Sequence, residues 1–126
     1  MSITHSQAAK QAATNAVVDL VDAGSAAGYI TICEDASVLV TLTCNDPAFG
    51  AADANGTATL DVDPAITNTA SGTGTADNFK VYDSDATLIF SGTVGTSGTD
   101  MTVDNTSINS GQTVTLTSFT YDSAEA

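Results

Sequence analysis

From residue 28 to residue 44 the chain reads Gly-Tyr-Ile-Thr-Ile-Cys-Glu-Asp-Ala-Ser-Val-Leu-Val-Thr-Leu-Thr-Cys. Val38, Val40, Leu42 and Cys44 recur at every second position, which is the period of a strand with one buried face. Tyr29 to Cys33 is a second strand before it, and Glu34 to Ser37 joins the two as a hairpin. The expectation from this stretch is a mainly β chain.

Working outward, the same period continues. Thr57 to Val62 alternates Ala58, Leu60 and Val62 against Thr57, Thr59 and Asp61. Asn78 to Tyr82 and Thr87 to Val94 are two more strands, joined by the turn-forming residues Asp83-Ser84-Asp85-Ala86. Met101 to Asp104 is a short strand, and Asn109-Ser110-Gly111 turns into a last one, Gln112 to Tyr121. That last strand breaks phase: Val114 and Leu116 share one face, and Phe119 and Tyr121 fall on the other. Either a bulge near Ser118 restores the register, or the strand end shows its aromatics to another subunit. Residues 67 to 77 carry no bulky side chain and read as a surface loop, or else as an edge or arm that orders against a partner. Seven short strands with frequent turn signals predict a single antiparallel β-sandwich or small β-barrel.

Upstream, residues 6 to 23 form the one helical stretch. Ala9, Ala13, Ala16, Val17, Leu20 and Val21 make an apolar stripe at spacings of three and four. Ser6 or Thr4 can cap its start, and Gly24 sits where a left-handed C-cap belongs. An alanine-rich helix buries little area and must pack on the sheet or on a neighbouring subunit. The organisation expected is thus a helical segment over 1–27 and a β domain over 28–126, together one structural domain.

Composition excludes much. Two lysines, Lys10 and Lys80, stand against fifteen carboxylates, a formal net charge of −13 over 126 residues. Such a chain repels nucleic acid and anionic membrane surfaces and has almost nothing with which to hold phosphate. The hydrophobic fraction is 42 %, too high for a disordered acidic tail. The surface is dressed in threonine, 21 residues of it, which favours strands. The first residues lack a basic region followed by an apolar one, and no stretch is long enough to span a bilayer, so the expectation is a chain made and kept in a cytoplasm. Cys33 and Cys44 are expected as buried thiols, since the hairpin register sets them several residues apart.

Candidate chemistry is sparse. Asp61 and Asp63, and again Asp83 and Asp85, place carboxylates at i and i+2, a spacing that Ca²⁺ sites use; neither segment matches the twelve-residue calcium loop, and solvated turn and edge roles are the preferred reading. Gly72-Thr73-Gly74 and Gly92-Thr93-Val94-Gly95 open no helix and carry no phosphate-loop lysine, so they read as turns. The one histidine, His5, lies in the N-terminal segment, and no Ser or Cys has a partner base in prospect. The sequence predicts no enzyme and no cofactor.

Five blocks carry a resemblance. They are Asp22-Ala23-Gly24-Ser25 closing the helix, Asn45 to Ala52 (NDPAFGAA), Ala76 to Ser84 (ADNFKVYDS), Gly92 to Gly98 (GTVGTSG) and Ile108 to Ser118 (INSGQTVTLTS). In this order, over nearly the whole chain, they resemble small virion structural proteins of tailed bacteriophages, of the capsid decoration or cement type. The resemblance implies a non-enzymatic protein on the outer capsid surface, synthesised in the host cytoplasm, bound to the major capsid protein and assembled as a homo-oligomer, a trimer by lattice symmetry. Interface candidates are Ala9, Ala13, Phe49, Phe119 and Tyr121. A tail, neck or head-fibre protein is the first alternative, and a secreted β-sandwich binding module the second.

Overall fold

The computed structural model describes residues 4–63, 65–103, 105–116 and 119–122. It is mainly β with one helix, and its sheets do not close into a barrel. The helix α1 spans Gln7–Val21, followed by β1 (Tyr29–Glu34), β2 (Ser37–Thr43), β3 (Thr57–Thr59) and β4 (Ile66–Thr69). Then come β5 (Gly74–Thr75), β6 (Asn78–Tyr82), β7 (Leu88–Gly95), β8 (Met101–Thr102), β9 (Ser107–Ile108), β10 (Thr113–Leu116) and β11 (Thr120–Asp122).

Five strands form the main sheet in the order β2-β1-β6-β7-β8, antiparallel except for the parallel pair of β7 with β8. The opening hairpin forms in the expected place, with Cys33 opposite Val38 and a register shift next to it. The shift frees Leu39 from the pairing, and its carbonyl accepts from both Ser71 N and Gly72 N as the chain crosses over β2. Ile30, Ile32, Val40, Leu42, Phe79 and Val81 supply the buried face of the sheet. Against them pack Val18 and Val21 of the helix, Phe49, Ala58, Leu60, Ile66, Leu116 and Phe119, so helix and sheet share one core.

Three expectations change. The stretch 67 to 77 is a loop only in part, over 70–73 and 76–77. Its first residues belong to β4, which pairs with β10, and Gly74–Thr75 pairs with β9. Thr67 and Thr115 face each other across the first ladder with their hydroxyls 2.9 Å apart. The segment orders against its own chain, and threonine alone suffices for strand propensity there.

The last strand is two strands. β10 runs beside β4 and β11 beside β3, so the phase break is a change of partner. The bulge expected near Ser118 lies outside the described residues. The other expectation, aromatics turned outward, fails for Phe119, which is 5 % exposed inside the core.

The helix presents a different face from the expected one. Ser6 does cap it, its Oγ accepting from Ala9 N at 3.1 Å. Of the expected stripe Val21 is buried and Val17 half-buried, but the other buried positions are Thr14 and Val18, while Ala9, Ala13, Ala16 and Leu20 are exposed. Polar contacts set this rotation. Thr14, fully buried, donates its hydroxyl to the Gly56 carbonyl. Asn15 Oδ1 accepts from Ala52 N at 2.8 Å, and Asp22 Oδ1 accepts from Ala48 N at 3.0 Å. Gly56 has φ +80°, and a Cβ there would lie 2.6 Å from Lys10 Cβ, so the turn can sit against the helix only as glycine. Gly24 is also not the left-handed cap. The C-cap is Asp22, and Gly24 is needed because a Cβ would lie 1.8 Å from Ser84 Oγ in the β6–β7 turn.

Candidate interaction surface

The carboxylate pairs singled out from sequence serve the backbone. Asp83 Oδ1 accepts from Asp85 N and Thr87 N, both at 2.9 Å, and so closes the turn between β6 and β7, where Ala86 takes φ 67°. Asp61 Oδ1 accepts from Asp63 N at 3.1 Å. In each pair one carboxylate is tied to the amide of the other residue, which is the local bonding that favours Asp in turns. Among the described residues no three His, Cys, Asp or Glu side chains converge on a common point.

Both cysteines are free and buried. Cys44 follows β2 and donates its amide to Gly28 O, several residues along the ladder from Cys33. Burial, with a smaller contribution from the nearby Asp22 carboxylate, pushes its thiol up to about 12. It is a packed thiol rather than a nucleophile. Asp22 itself is raised above 3.8, first by burial, against the opposing bond from Ala48 N, and further by Asp46 and Asp19.

The aromatic candidates come together with residues that sequence reasoning missed. Phe119 lies at the centre: its ring is 5.2 Å from Phe79, 6.0 Å from Phe49 and 6.3 Å from Phe90. Phe90 in turn lies 4.3 Å from Tyr121 at an interplanar angle of 30°. Phe49 is 5 % exposed and, like Phe119, cannot be an interface anchor. Tyr121 and Phe90 are half-buried and reach the surface. Ala9 and Ala13 remain on the exposed side of the helix.

Two grooves open nearby. The larger, about 290 Å³, is lined by Val103, Asn105, Ile108, Gln112 and Val114 among others, none of them charged. The smaller, about 180 Å³, lies over the aromatic cluster and is lined by Phe79, Phe90, Ser91, Asp100, Phe119, Thr120 and Tyr121. Asp100 is held at its rim. Its Oδ2 accepts from Thr93 N at 3.0 Å and Thr93 Oγ1 at 3.1 Å, and its own amide donates back to Thr93 Oγ1. Gly92, opposite Phe79 in the ladder, makes this possible. A Cβ there would lie 2.7 Å from the Phe79 ring and 2.8 Å from Asp100 Oδ2. Gly92 comes to lie across from Phe79 only through the register shift between Val81 and Tyr82, which the turn residues at 83–86 do not announce; nothing in the sequence flags Asp100.

The chain matches no family model, no curated protein and no solved structure. Among the described residues, no helix is long and apolar enough to cross a membrane.

Proposed function

We propose that the chain is a non-enzymatic virion structural protein that decorates and braces the outer shell of a tailed-phage head. The observation that carries this reading is the net charge of −13 on a small, densely bonded β body. Subunits so charged repel one another in solution and condense only on a surface of opposite sign. Repeated attachment across a lattice turns weak single contacts into strong retention.

The phage-like blocks support the same reading. Asn45 to Ala52 is the segment on which the helix docks, through Ala48 N and Ala52 N. Ala76 to Ser84 spans β6 and the turn after it, and Ile108 to Ser118 contains β10. The exposed side of the helix, with Ala9 and Ala13, offers small side chains for close approach of a second copy.

The test is the heat stability of purified particles with and without the protein. Particles lacking it are expected to release DNA at lower temperature and to regain stability when it is added back. Equal stability refutes bracing, and a location confined to tail or neck in an image reconstruction refutes decoration. Sedimentation of the free protein tests the trimer.

A further inference from the structure

We infer that the free edge of β10 is a docking site for an extended strand, and that this strand is residues 1–6 of a second copy of the chain. The inference does not rest on the virion reading; it concerns only the contact of the chain with itself.

The edge follows from the parity of the ladder. Ala70 N donates to Gln112 O at 2.7 Å, and the antiparallel register steps from there by two, to Asn68 with Val114 and Ile66 with Leu116. Those are the hydrogen-bonded pairs, so the main-chain groups of Thr113 and Thr115 point away from β4. Thr67 and Thr115 agree with this parity: their hydroxyls lie 2.9 Å apart, as suits a pair whose side chains are close and whose amides turn outward. Among the described residues no hydrogen bond engages the amide or carbonyl of Thr113 or Thr115. The outer edge of β2, by contrast, is covered by Ser71 N and Gly72 N at Leu39 O and by Asn68 Nδ2 at Thr41 O. β10 reads Thr-Val-Thr-Leu and has no charge, no proline and no bulge, the devices that protect an edge from pairing with another chain.

Beside the edge lies the groove of about 290 Å³, lined by Thr113, Val114 and Thr115 together with Val103, Asn105 and Ile108. Among the described residues no charged side chain lines it, so an ionic ligand finds no counter-charge there. Asn105 Oδ1 and Gln112 Oε1 are tied to Ser107 N and Asn109 N, which leaves their –NH2 groups as donors for a peptide carbonyl. Open main-chain groups next to an uncharged groove are what an added strand uses.

Charge selects the strand. Asp19 is the first acid of the chain, so residues 1–6, Met-Ser-Ile-Thr-His-Ser, approach an acidic body without a carboxylate. The other end carries Asp122 and Glu125. Thr4 and His5 are exposed, precede the helix and belong to no strand, and Ile3 and Thr4 are β-branched. Extended at ~3.3 Å per residue, residues 1–6 reach roughly 20 Å, enough to run the length of β10. The helix that follows them packs mainly against β3, β7 and β11, which favours the arm of another copy at β10 over its own. An arm given by one copy and received by the next is a head-to-tail contact, which closes into a ring or runs on as a chain. Salt screens the repulsion between the acidic bodies and leaves main-chain bonds in place, so association strengthens as salt rises.

Sedimentation velocity of the intact chain across concentration and salt is the test. Larger species are expected at high concentration and high salt, and excess hexapeptide Met-Ser-Ile-Thr-His-Ser is expected to dissolve them. Deletion of residues 2–5 should abolish association. Thr115→Pro removes the outward amide and spares the bonds to β4, and should weaken association by roughly fivefold; Thr115→Val keeps the amide and should leave it unchanged. An amide spectrum that retains the β4 ladder establishes folding. Should T115P not fold, the hexapeptide carries the same test. Adjacent amides of a strand point to opposite sides, so N-methylation at one of Ile3 and Thr4 should block competition and at the other should not. No association at any concentration, undiminished association after the deletion, or an equal effect of the two methyl groups overturns the inference. So does equal competition by the acidic peptide Thr120–Glu125, which would reduce the edge to one that takes any strand. Particle heat stability is a separate measurement, so the failure of one proposal leaves the other standing.

Discussion

The rotation of the helix about its axis is open to a direct test at two adjacent residues. Thr14 is fully buried and donates to the Gly56 carbonyl; Ala13, its neighbour, is exposed. Thr14→Val keeps the shape and deletes the donor. A hydrogen bond of this kind contributes about 0.5–1.5 kcal/mol net, and a buried acceptor left without a partner costs about 1–3 kcal/mol. A loss of about 2 kcal/mol is therefore expected. For a domain of this size that corresponds to roughly 6–10 °C in Tm. Ala13→Gln, a substitution on the solvent side, should stay within about 0.5 kcal/mol. Urea denaturation followed by circular dichroism reads both, and an unchanged slope shows that the effect lies in stability rather than in the extent of unfolding. If T14V is neutral and A13Q is the damaging change, the alanine stripe is the packed face and the helix placement argued above is wrong.

Four further outcomes follow from the packing. Phe119→Ala empties the centre of the aromatic cluster and should cost about 3–5 kcal/mol in the same denaturation assay; a loss under about 1 kcal/mol would place Phe119 outside the core. Gly24→Ala drives a Cβ into Ser84 Oγ and should cost about 1–3 kcal/mol, and less in a Ser84→Ala background; strict additivity in the double-mutant cycle would refute the contact. Asp22 has its folded pKa raised above 3.8, so the stability it contributes is present below that value and lost as pH rises through the raised one. Asp22→Asn, which keeps an acceptor for Ala48 N, should gain on the wild type over that rise; a midpoint difference that runs the other way sinks the assignment. Cys44, buried and with its thiol near 12, should resist an aromatic disulfide reagent in the native protein and react after unfolding, and prompt labelling in buffer would contradict the burial.

What the sequence made legible was governed by period and by turn residues. The hairpins at 29–43 and 78–95 were readable because apolar residues alternate there and Asp83 to Ala86 have the types a tight turn wants. The helix face was misread because apolar count pointed to alanines, whereas Lys10, Thr14, Asn15 and Asp22 dock the helix by polar contacts and stem packing. The strands inside 66–75 were hidden because threonine and glycine give no hydrophobic alternation; their pairing depends on residues 107–116, far along the chain. The groove was half visible. Phe119 and Tyr121 stood out by their phase, but which of them stays at the surface is decided by Phe90 and the partner change between β10 and β11. Asp100 reaches the groove through the loop that returns β8 parallel to β7, a connection no local pattern announces.

The acidity looks different once the carboxylates of the described residues are placed. Glu34, Asp22, Asp53, Asp61, Asp77, Asp83 and Asp100 all accept from main-chain amides. Seven acids among the described residues are thus employed in closing turns and tying segments together, in a fold whose strands are short and whose junctions are many. Asn could accept the same bonds without charge, so capping explains why side chains of this shape stand at these positions and leaves their ionisation over. That remainder is what a basic partner or mutual repulsion would use. It follows that total charge is a weak guide to where a partner binds, because much of it among the described residues is distributed by the needs of the backbone. Asp100 differs from the other capping acids in lining a groove together with the half-buried rings of Phe90 and Tyr121. There the carboxylate that fixes a loop also stands beside aromatic rings, and the position of a charge, rather than the total, is what distinguishes one acid from another.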